Sequence, residues 1–348
     1  MRHHWLWIFA MFVALARPDC ALAGDAAADS TPRIPERDRI RLAEAFRLAE
    51  SVQDHLWPQW SSAPFALLLV TPEVEFLVRH PAPGPEFAAC GFDSLLRSAV
   101  YWRKRVFPVT FQATFPAVGG ISTIVIGQAE SAQPPQGSSR WVLTVMHEHF
   151  HQWQESRPGY MKDVEALDLA RGDSTGMWML NFPFPYADSS IARAFDELCR
   201  LRAVALRALG TKEFAAARRA CEAARGRLTR LLAPDDARYL DFQLWKEGVA
   251  RYTEYEVARL AGADYKPSAR FAGLDDYTPF ALESRNVRER ILDQQSSMQL
   301  SSSNRIAVYS SGAADALLLD AIRPDWKRRY TSARFSLNRL FRARALDR

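Results

Sequence analysis

The sequence predicts an α+β fold in which a small, mostly antiparallel sheet precedes a large helical part. Alternating and β-branched apolar residues recur between residues 65 and 126, as expected for strands. Beyond Gln128 the apolar residues recur at helical spacing instead. A chain of 348 residues with 48% hydrophobic content can also bury the core that such a fold requires.

The first segment of the chain resembles a targeting sequence. Residues 1–23 combine a polar start, an apolar run from Trp5 to Ala16 and small residues before position 24, which predicts a signal peptide. Residues 24–36 are polar and contain prolines, which predicts a flexible linker. No stretch is both long and uncharged enough for stable membrane insertion. We therefore expect an exported protein, either periplasmic or secreted.

Residues 37–160 are predicted to form an N-terminal helix, the sheet and the helix that carries the active site. Apolar residues at helical spacing predict the first helix over 39–56, and Pro58 closes it. The predicted strands are 65–70, 74–78, 109–115 and 121–126. A helix is then predicted over 141–155, ending before Pro158 and Gly159.

Residues 161–348 are predicted to form a helical subdomain with a basic tail. The predicted helices are 163–171, 189–209, 211–232, 236–260 and 304–322. Cys199 and Cys221 lie eleven residues either side of Gly210, so they either form a disulfide between two antiparallel helices or remain free thiols.

The C-terminal tail is strongly basic. Residues 323–348 carry nine Lys and Arg residues against two Asp residues. Weak contact with anionic surfaces would suit this charge, but a solvated helix face is the commoner explanation. Nothing in the chain resembles a nucleic-acid-binding module, so no nucleic acid is expected as a partner.

Three of the seven histidines fall between residues 147 and 151. Residues four apart share one face of a helix, so His147 and His151 point the same way and His149 points away. The pattern is therefore His-Glu-x-x-His. Two imidazoles on one face can hold Zn²⁺, and Glu148 between them is placed to act as a general base.

A catalytic zinc ion usually takes three protein ligands. An extended form of the pattern supplies the third from the same stretch, but Gln154 and Arg157 occupy the positions that Gly and His would need. The third ligand must come from another segment. Glu247, next to Gly248 in a helical segment, is the first candidate, and Glu165 and Asp168 are the alternatives.

Two further segments resemble the gluzincin metallopeptidases, in particular the aminopeptidase N-like branch. Glu247-Gly248-x-x-x-Tyr252-x-Glu254 resembles the helix that supplies their third zinc ligand. Tyr309-Ser310-Ser311-Gly312 resembles the segment whose tyrosine stabilises the oxyanion. The resemblance covers residues 141–155, 244–256 and 309–319. It implies a zincin-like helical part, an active site between sheet and helices, and Tyr309 as a second catalytic residue.

The sequence also departs from this family. The family's segment for reading a free N-terminus is absent, and Gly119 to Thr123 occupy the comparable place. Between His151 and Glu247 lie 95 residues, so a helical insertion must fold back. The strand at 121–126 is expected to hold an extended peptide by edge pairing.

Together these features predict an exported zinc-dependent peptidase that acts on peptide or protein substrates. Endopeptidase and exopeptidase activity both remain open. One alternative is a catalytically silent zinc-binding scaffold or binding protein that retains the fold. Another is a metal-free helical protein in which the histidine cluster is accidental.

Overall fold

The structure of the protein is a computed structural model, and it describes residues 31–342. The predicted signal peptide, most of the predicted linker and the last six residues of the basic tail lie outside the described residues. Helix α1, Glu36–Leu56, begins three residues before its predicted start and takes in the end of the predicted linker.

Six strands form one mixed sheet, and many helices follow it, so the α+β prediction is confirmed. The strands are β1 (Leu67–Val70), β2 (Val74–Val78), β3 (Ala88–Asp93), β4 (Ser98–Lys104), β5 (Gln112–Val118) and β6 (Ile121–Gly127). Their order in the sheet is β3-β4-β2-β1-β6-β5. Strands β1 and β6 pair in parallel, whereas the other pairings are antiparallel.

Strand β1 explains why the centre of the sheet reads as a continuous apolar run. Its side chains alternate between the two faces. Leu67 and Leu69 join the main core, whereas Leu68 and Val70 join a second cluster on the opposite face. Both faces are covered, so every residue of the strand is apolar and buried.

The observed sheet differs from the predicted one in three respects. Strands β3 and β4 were not predicted, because exposed residues interrupt their apolar alternation. Strand β5 begins three residues later than the predicted strand at 109–115. The expected edge role of residues 121–126 is wrong, because β6 lies between β1 and β5. The edge strand on this side is β5.

The helical part begins with the helix that carries the histidine cluster. The helices are α2 (Ser138–Glu155), α3 (Tyr160–Glu165), α4 (Trp178–Asn181), α5 (Ser189–Arg207), α6 (Phe214–Leu231), α7 (Pro234–Gln243), α8 (Val249–Asp264), α9 (Ala269–Ala272), α10 (Phe280–Ser297), α11 (Leu300–Ser303), α12 (Ala307–Ile322), α13 (Trp326–Arg329) and α14 (Leu337–Arg342). A π-helical segment, Leu244–Gly248, joins α7 to α8. None of the described helices is both long and apolar enough to cross a membrane.

The observed helices differ from the predicted ones in three respects. The predicted helix at 163–171 is wrong beyond Glu165, because Asp168 and Arg171 adopt left-handed backbone angles, with φ of 53° and 49°. The predicted helix at 236–260 is interrupted by the π-helical segment. Helix α10 was not predicted. Cys199 and Cys221 are free thiols, so the disulfide alternative is not realised.

Helix α2 lies at the centre of the core, and 16 of its 18 residues are buried. Helix α1 packs beside it and carries the fully buried Arg41. This guanidinium is paired with Asp38, Glu130 and Asp276, at distances of 3.1, 2.7 and 3.1 Å. The ion pairs join α1 to the loops before α2 and before α10, so they close the core around the histidine helix.

Candidate metal centre

His147 and His151 point into one small space from adjacent turns of α2. Their Nε2 atoms lie 3.2 Å apart, and both side chains are buried. On its other side, each ring makes a hydrogen bond of 2.7 Å from Nδ1, with Glu254 for His147 and with Gln154 for His151. Such contacts fix ring orientation and direct Nε2 toward a metal ion.

His149 points away from this space, as predicted. Its ring stacks on Phe65 with a centroid distance of 3.7 Å and also on Trp60. Its Nδ1 contacts the Gln152 amide oxygen at 2.9 Å. Burial lowers the pKa of His149 to about 4, so the ring is neutral and serves packing.

Glu247 completes a group of three donors. Its Oε2 lies 3.3 Å from His151 Nε2 and 3.7 Å from His147 Nε2. The residue sits within the π-helical segment, and wider turns of this kind often occur at functional sites because they redirect side chains. Burial alone would raise the pKa of Glu247, but the two histidines hold it well below the usual value.

The separations within this group suit a zinc ion. Two donors bound tetrahedrally at about 2.0 to 2.1 Å from zinc are separated by about 3.3 to 3.4 Å. The three observed separations, 3.2, 3.3 and 3.7 Å, bracket that value. Neither alternative ligand, Glu165 or Asp168, belongs to the group that the described residues form.

The two carboxylates beside His147 favour its protonated form. Burial alone would lower the pKa of His147, but Glu247 and Glu254 outweigh it and raise the pKa to about 9. Only a deprotonated nitrogen can bind a metal ion, so a protonated His147 would have to release its proton before it served as a ligand.

Gln154 connects the histidine helix to the segment that carries Glu247. Its amide nitrogen donates to the carbonyl oxygens of Trp245 and Lys246, at 3.4 and 3.2 Å. These oxygens can only accept, so the amide oxygen must face His151 and accept its Nδ1 hydrogen. One side chain therefore sets the tautomer of His151 and anchors the π-helical segment. In the sequence analysis, Gln154 was noted only because it occupies the position of Gly in the extended zinc-binding pattern.

Glu254 lies seven residues after Glu247, about two helical turns away. Its carboxylate is held between two arginines. It accepts hydrogen bonds from Arg140 at 2.7 Å and from Arg251 at 2.6 Å, and it also contacts His147. Burial would raise the pKa of Glu254, but the two guanidinium groups hold it far below its usual value. Its contact with His147 Nδ1 holds the imidazole ring in place.

Two glycines explain how α12 comes close enough to contribute to the site. A Cβ atom at Gly312 would lie 2.6 Å from the Cα of Gly248, and nearer still to the carbonyl oxygen of Leu244. Only glycine at both positions allows the backbones of α12 and the π-helical segment to touch. Gly248 follows Glu247, and Gly312 lies one turn after Tyr309. The crossing therefore brings Glu247 and Tyr309 to one place.

Tyr309 lies beside the donor group. Its ring stacks over that of His147 at a centroid distance of 6.1 Å. The guanidinium carbons of Arg251 and Arg305 lie 5.7 and 5.6 Å from the Tyr309 ring centre. Burial and then the charge of Glu247 raise the pKa of Tyr309, so its hydroxyl remains a hydrogen-bond donor.

Glu148 faces strand β5 and takes no part in the donor group. Its Oε2 accepts a hydrogen bond of 2.8 Å from the Thr114 hydroxyl, and Gln112 Nε2 lies 3.5 Å from its Oε1. Gln112 and Thr114 are two residues apart, so they share one face of β5. Sequence reasoning missed both, although their polar side chains alternate with Phe111, Ala113 and Phe115.

Comparisons with protein-family descriptions, with curated proteins and with solved structures produce no match to this chain.

Proposed function

We propose that this protein is an exported zinc-dependent peptidase of the gluzincin type. One observation carries the proposal. The donor atoms of His147, His151 and Glu247 lie at separations that suit tetrahedral zinc, and the carboxylate of Glu148, which is not part of this group, follows His147 directly in the sequence. A structural zinc site is usually closed by four protein ligands, whereas three ligands leave a position for chemistry.

The residues around the donor group have distinct roles in peptide hydrolysis. When bound, zinc would polarise the scissile carbonyl and lower the pKa of water in the site to about 7. Glu148 accepts the proton of the attacking water and delivers it to the leaving amine. The protonated Tyr309 hydroxyl donates a hydrogen bond to the carbonyl oxygen as negative charge develops there.

Strand β5 is the element that supports binding of an extended substrate. It is the outer strand of the sheet on this side, and its Thr114 contacts Glu148 directly. A peptide paired with an edge strand gains main-chain hydrogen bonds that do not depend on its sequence. A substrate bound along β5 would therefore pass the general base.

The alternative function is a zinc-binding scaffold without catalytic activity. Such a protein would need the three ligands but not a carboxylate beside them. The hydrogen bond from Thr114 to Glu148 favours the peptidase, because it positions a group that a purely structural metal site would not use.

Two substitutions test this proposal in the purified protein. Glu148→Gln should retain zinc, measured by elemental mass spectrometry, and lose cleavage of a mixed peptide library, because only the base is removed. Glu247→Ala should lose zinc, and Glu165→Ala is the matched control that should keep it. Equal cleavage by wild type and Glu148→Gln would show that the catalytic role is wrong. A wild-type protein that binds zinc but cleaves no peptide would favour the scaffold.

A further inference from the structure

We propose that Arg305 binds a carboxylate of the substrate next to the scissile bond. The carboxylate is either the C-terminal group of a peptide or the side chain of Asp or Glu. This proposal rests on the peptidase function and defines a substrate class for it. Arg305 lies in the short turn Asn304–Ile306, which leads into α12 and Tyr309.

Arg305 lies between the third ligand and the oxyanion donor. Its Nη1 is 3.8 Å from Glu247 Oε1, the oxygen that does not face the histidines. Its guanidinium carbon is 5.6 Å from the centre of the Tyr309 ring. A group bound to Arg305 would therefore lie within a few atoms of the carbonyl that Tyr309 contacts.

The site opens to solvent on the side of Arg305. Side-chain exposure rises from 4% at His147 and 5% at His151 to 12% at Glu247 and 26% at Arg305. The next residue, Ile306, is an apolar side chain with 67% exposure. A substrate that reaches the donor group from this side must pass the guanidinium.

Arg305 differs from the other two arginines of the site in its hydrogen bonding. Arg140 and Arg251 each donate to Glu254. In contrast, Arg305 interacts with the Tyr309 hydroxyl, while its Nη1 is buried without a hydrogen-bond partner, and the oxygen of Glu247 is too distant to be one. A guanidinium presents several donors in a plane that matches a carboxylate, so an incoming carboxylate is the partner that fits it best.

The charge of the site also favours an anionic group. The carboxylates of Glu148, Glu247 and Glu254 are balanced in number by the guanidinium groups of Arg140, Arg251 and Arg305. A divalent metal ion would leave the site with an excess of positive charge. Exclusion of water by the bound substrate would strengthen the attraction between this positive charge and a carboxylate.

The test measures binding in zinc-loaded Glu148→Gln protein, so that no peptide is consumed. Fluorescein-labelled peptides are used in two matched pairs. One pair differs in a free or amidated C-terminus, and the other has Asp or Asn in an otherwise identical amidated peptide. Fluorescence anisotropy gives the dissociation constants. We expect the carboxylate member of at least one pair to bind about tenfold to a hundredfold more tightly.

Variants at position 305 then assign the preference. Arg305→Gln should abolish the difference within the pair, and Arg305→Lys should keep part of it, because the charge remains but the planar fork is lost. Arg218→Gln is the control, because it removes the same charge from an exposed position on α6. Zinc content and unfolding temperature of each variant establish that the site is intact.

The peptide pair whose two members bind with different affinities identifies the source of the carboxylate. Equal binding within both pairs, or no binding of any peptide, would overturn the proposal. So would an Arg305→Gln variant that weakens both members of a pair equally, since Arg305 would then only position Glu247 or Tyr309. A different outcome would contradict the peptidase function alone. In that case the wild-type protein cleaves no peptide, while the Glu148→Gln protein still binds the carboxylate member of a pair more tightly than the amide member.

Discussion

The glycine contact between α12 and the π-helical segment allows a strict test of how the metal centre is built. Gly312→Ala adds one methyl group at a position that lies outside every ligand segment. Any effect on metal binding must therefore pass through the backbone contacts with Gly248 and Leu244 of the π-helical segment. The variant tests whether this contact sets the position of Glu247.

The size of the effect follows from the contact distances. The added Cβ would lie 2.6 Å from Gly248 Cα, whereas carbon atoms pack at about 3.5 to 4.0 Å. The two backbones must therefore separate by roughly 1 Å. Overpacking of this kind costs about 1 to 3 kcal/mol in the free energy of unfolding. Metal–ligand distances tolerate only about 0.2 Å, so zinc affinity should fall by at least tenfold.

Zinc affinity is measured by competition with a chelator, and stability by urea denaturation of the metal-free protein. The matched control is Gly226→Ala on α6, where the nearest atom to an added Cβ is 3.5 Å away. This control should be neutral or should stabilise the protein by up to about 1 kcal/mol, because alanine favours a helix over glycine. A Gly312→Ala protein with wild-type zinc affinity would refute the proposed role of the crossing.

Three other predictions concern side chains around the core and the site. Gln154→Ala should lower zinc affinity about tenfold to a hundredfold in chelator competition, because His151 loses the acceptor that orients it; unchanged affinity would contradict this role. Thr114→Val should lower kcat/KM about tenfold at unchanged zinc content, because Glu148 loses its hydrogen-bond donor, and Thr114→Ser should restore activity. Burial raises the pKa of Asp241 from 3.8 to about 6, so its contribution to stability is full below pH 3.8 and is lost as pH rises through about 6. Denaturation at several pH values should therefore show that the free energy of unfolding of the wild type falls by up to about 3 kcal/mol relative to that of Asp241→Asn between pH 4 and 7. Two proteins whose stability changes in parallel with pH would contradict this prediction.

The sequence predicted the parts of the site that depend on local periodicity. His147 and His151 share a face because they are four residues apart on a helix, and His149 is excluded for the same reason. Glu247 was the first candidate because it lies beside Gly248 in a helical segment, the family resemblance supported it, and the structure places it with the two histidines. The fold class followed from strands that precede helices.

The parts that were missed depend on contacts between distant segments. Gln154 acquires its role only because the carbonyl groups of Trp245 and Lys246 lie beside it. The role of Thr114 depends on which strand forms the edge of the sheet. That edge cannot be inferred without the parallel pairing of β1 with β6, which joins segments more than fifty residues apart. Pairings of this kind leave no local pattern in the chain.

The buried ion pairs of α1 have a consequence for the order in which the chain folds. Arg41 is surrounded by partners that include Asp276, and Glu44 accepts hydrogen bonds from Tyr265 and Ser268. Because Asp38 and Glu130 supply only two of the three carboxylates around this buried guanidinium, α1 gains its full set of partners only once residues 265–276 have been synthesised. A fragment that ends before residue 265 would leave Arg41 without Asp276, and it would leave Glu44 without the hydrogen bonds from Tyr265 and Ser268.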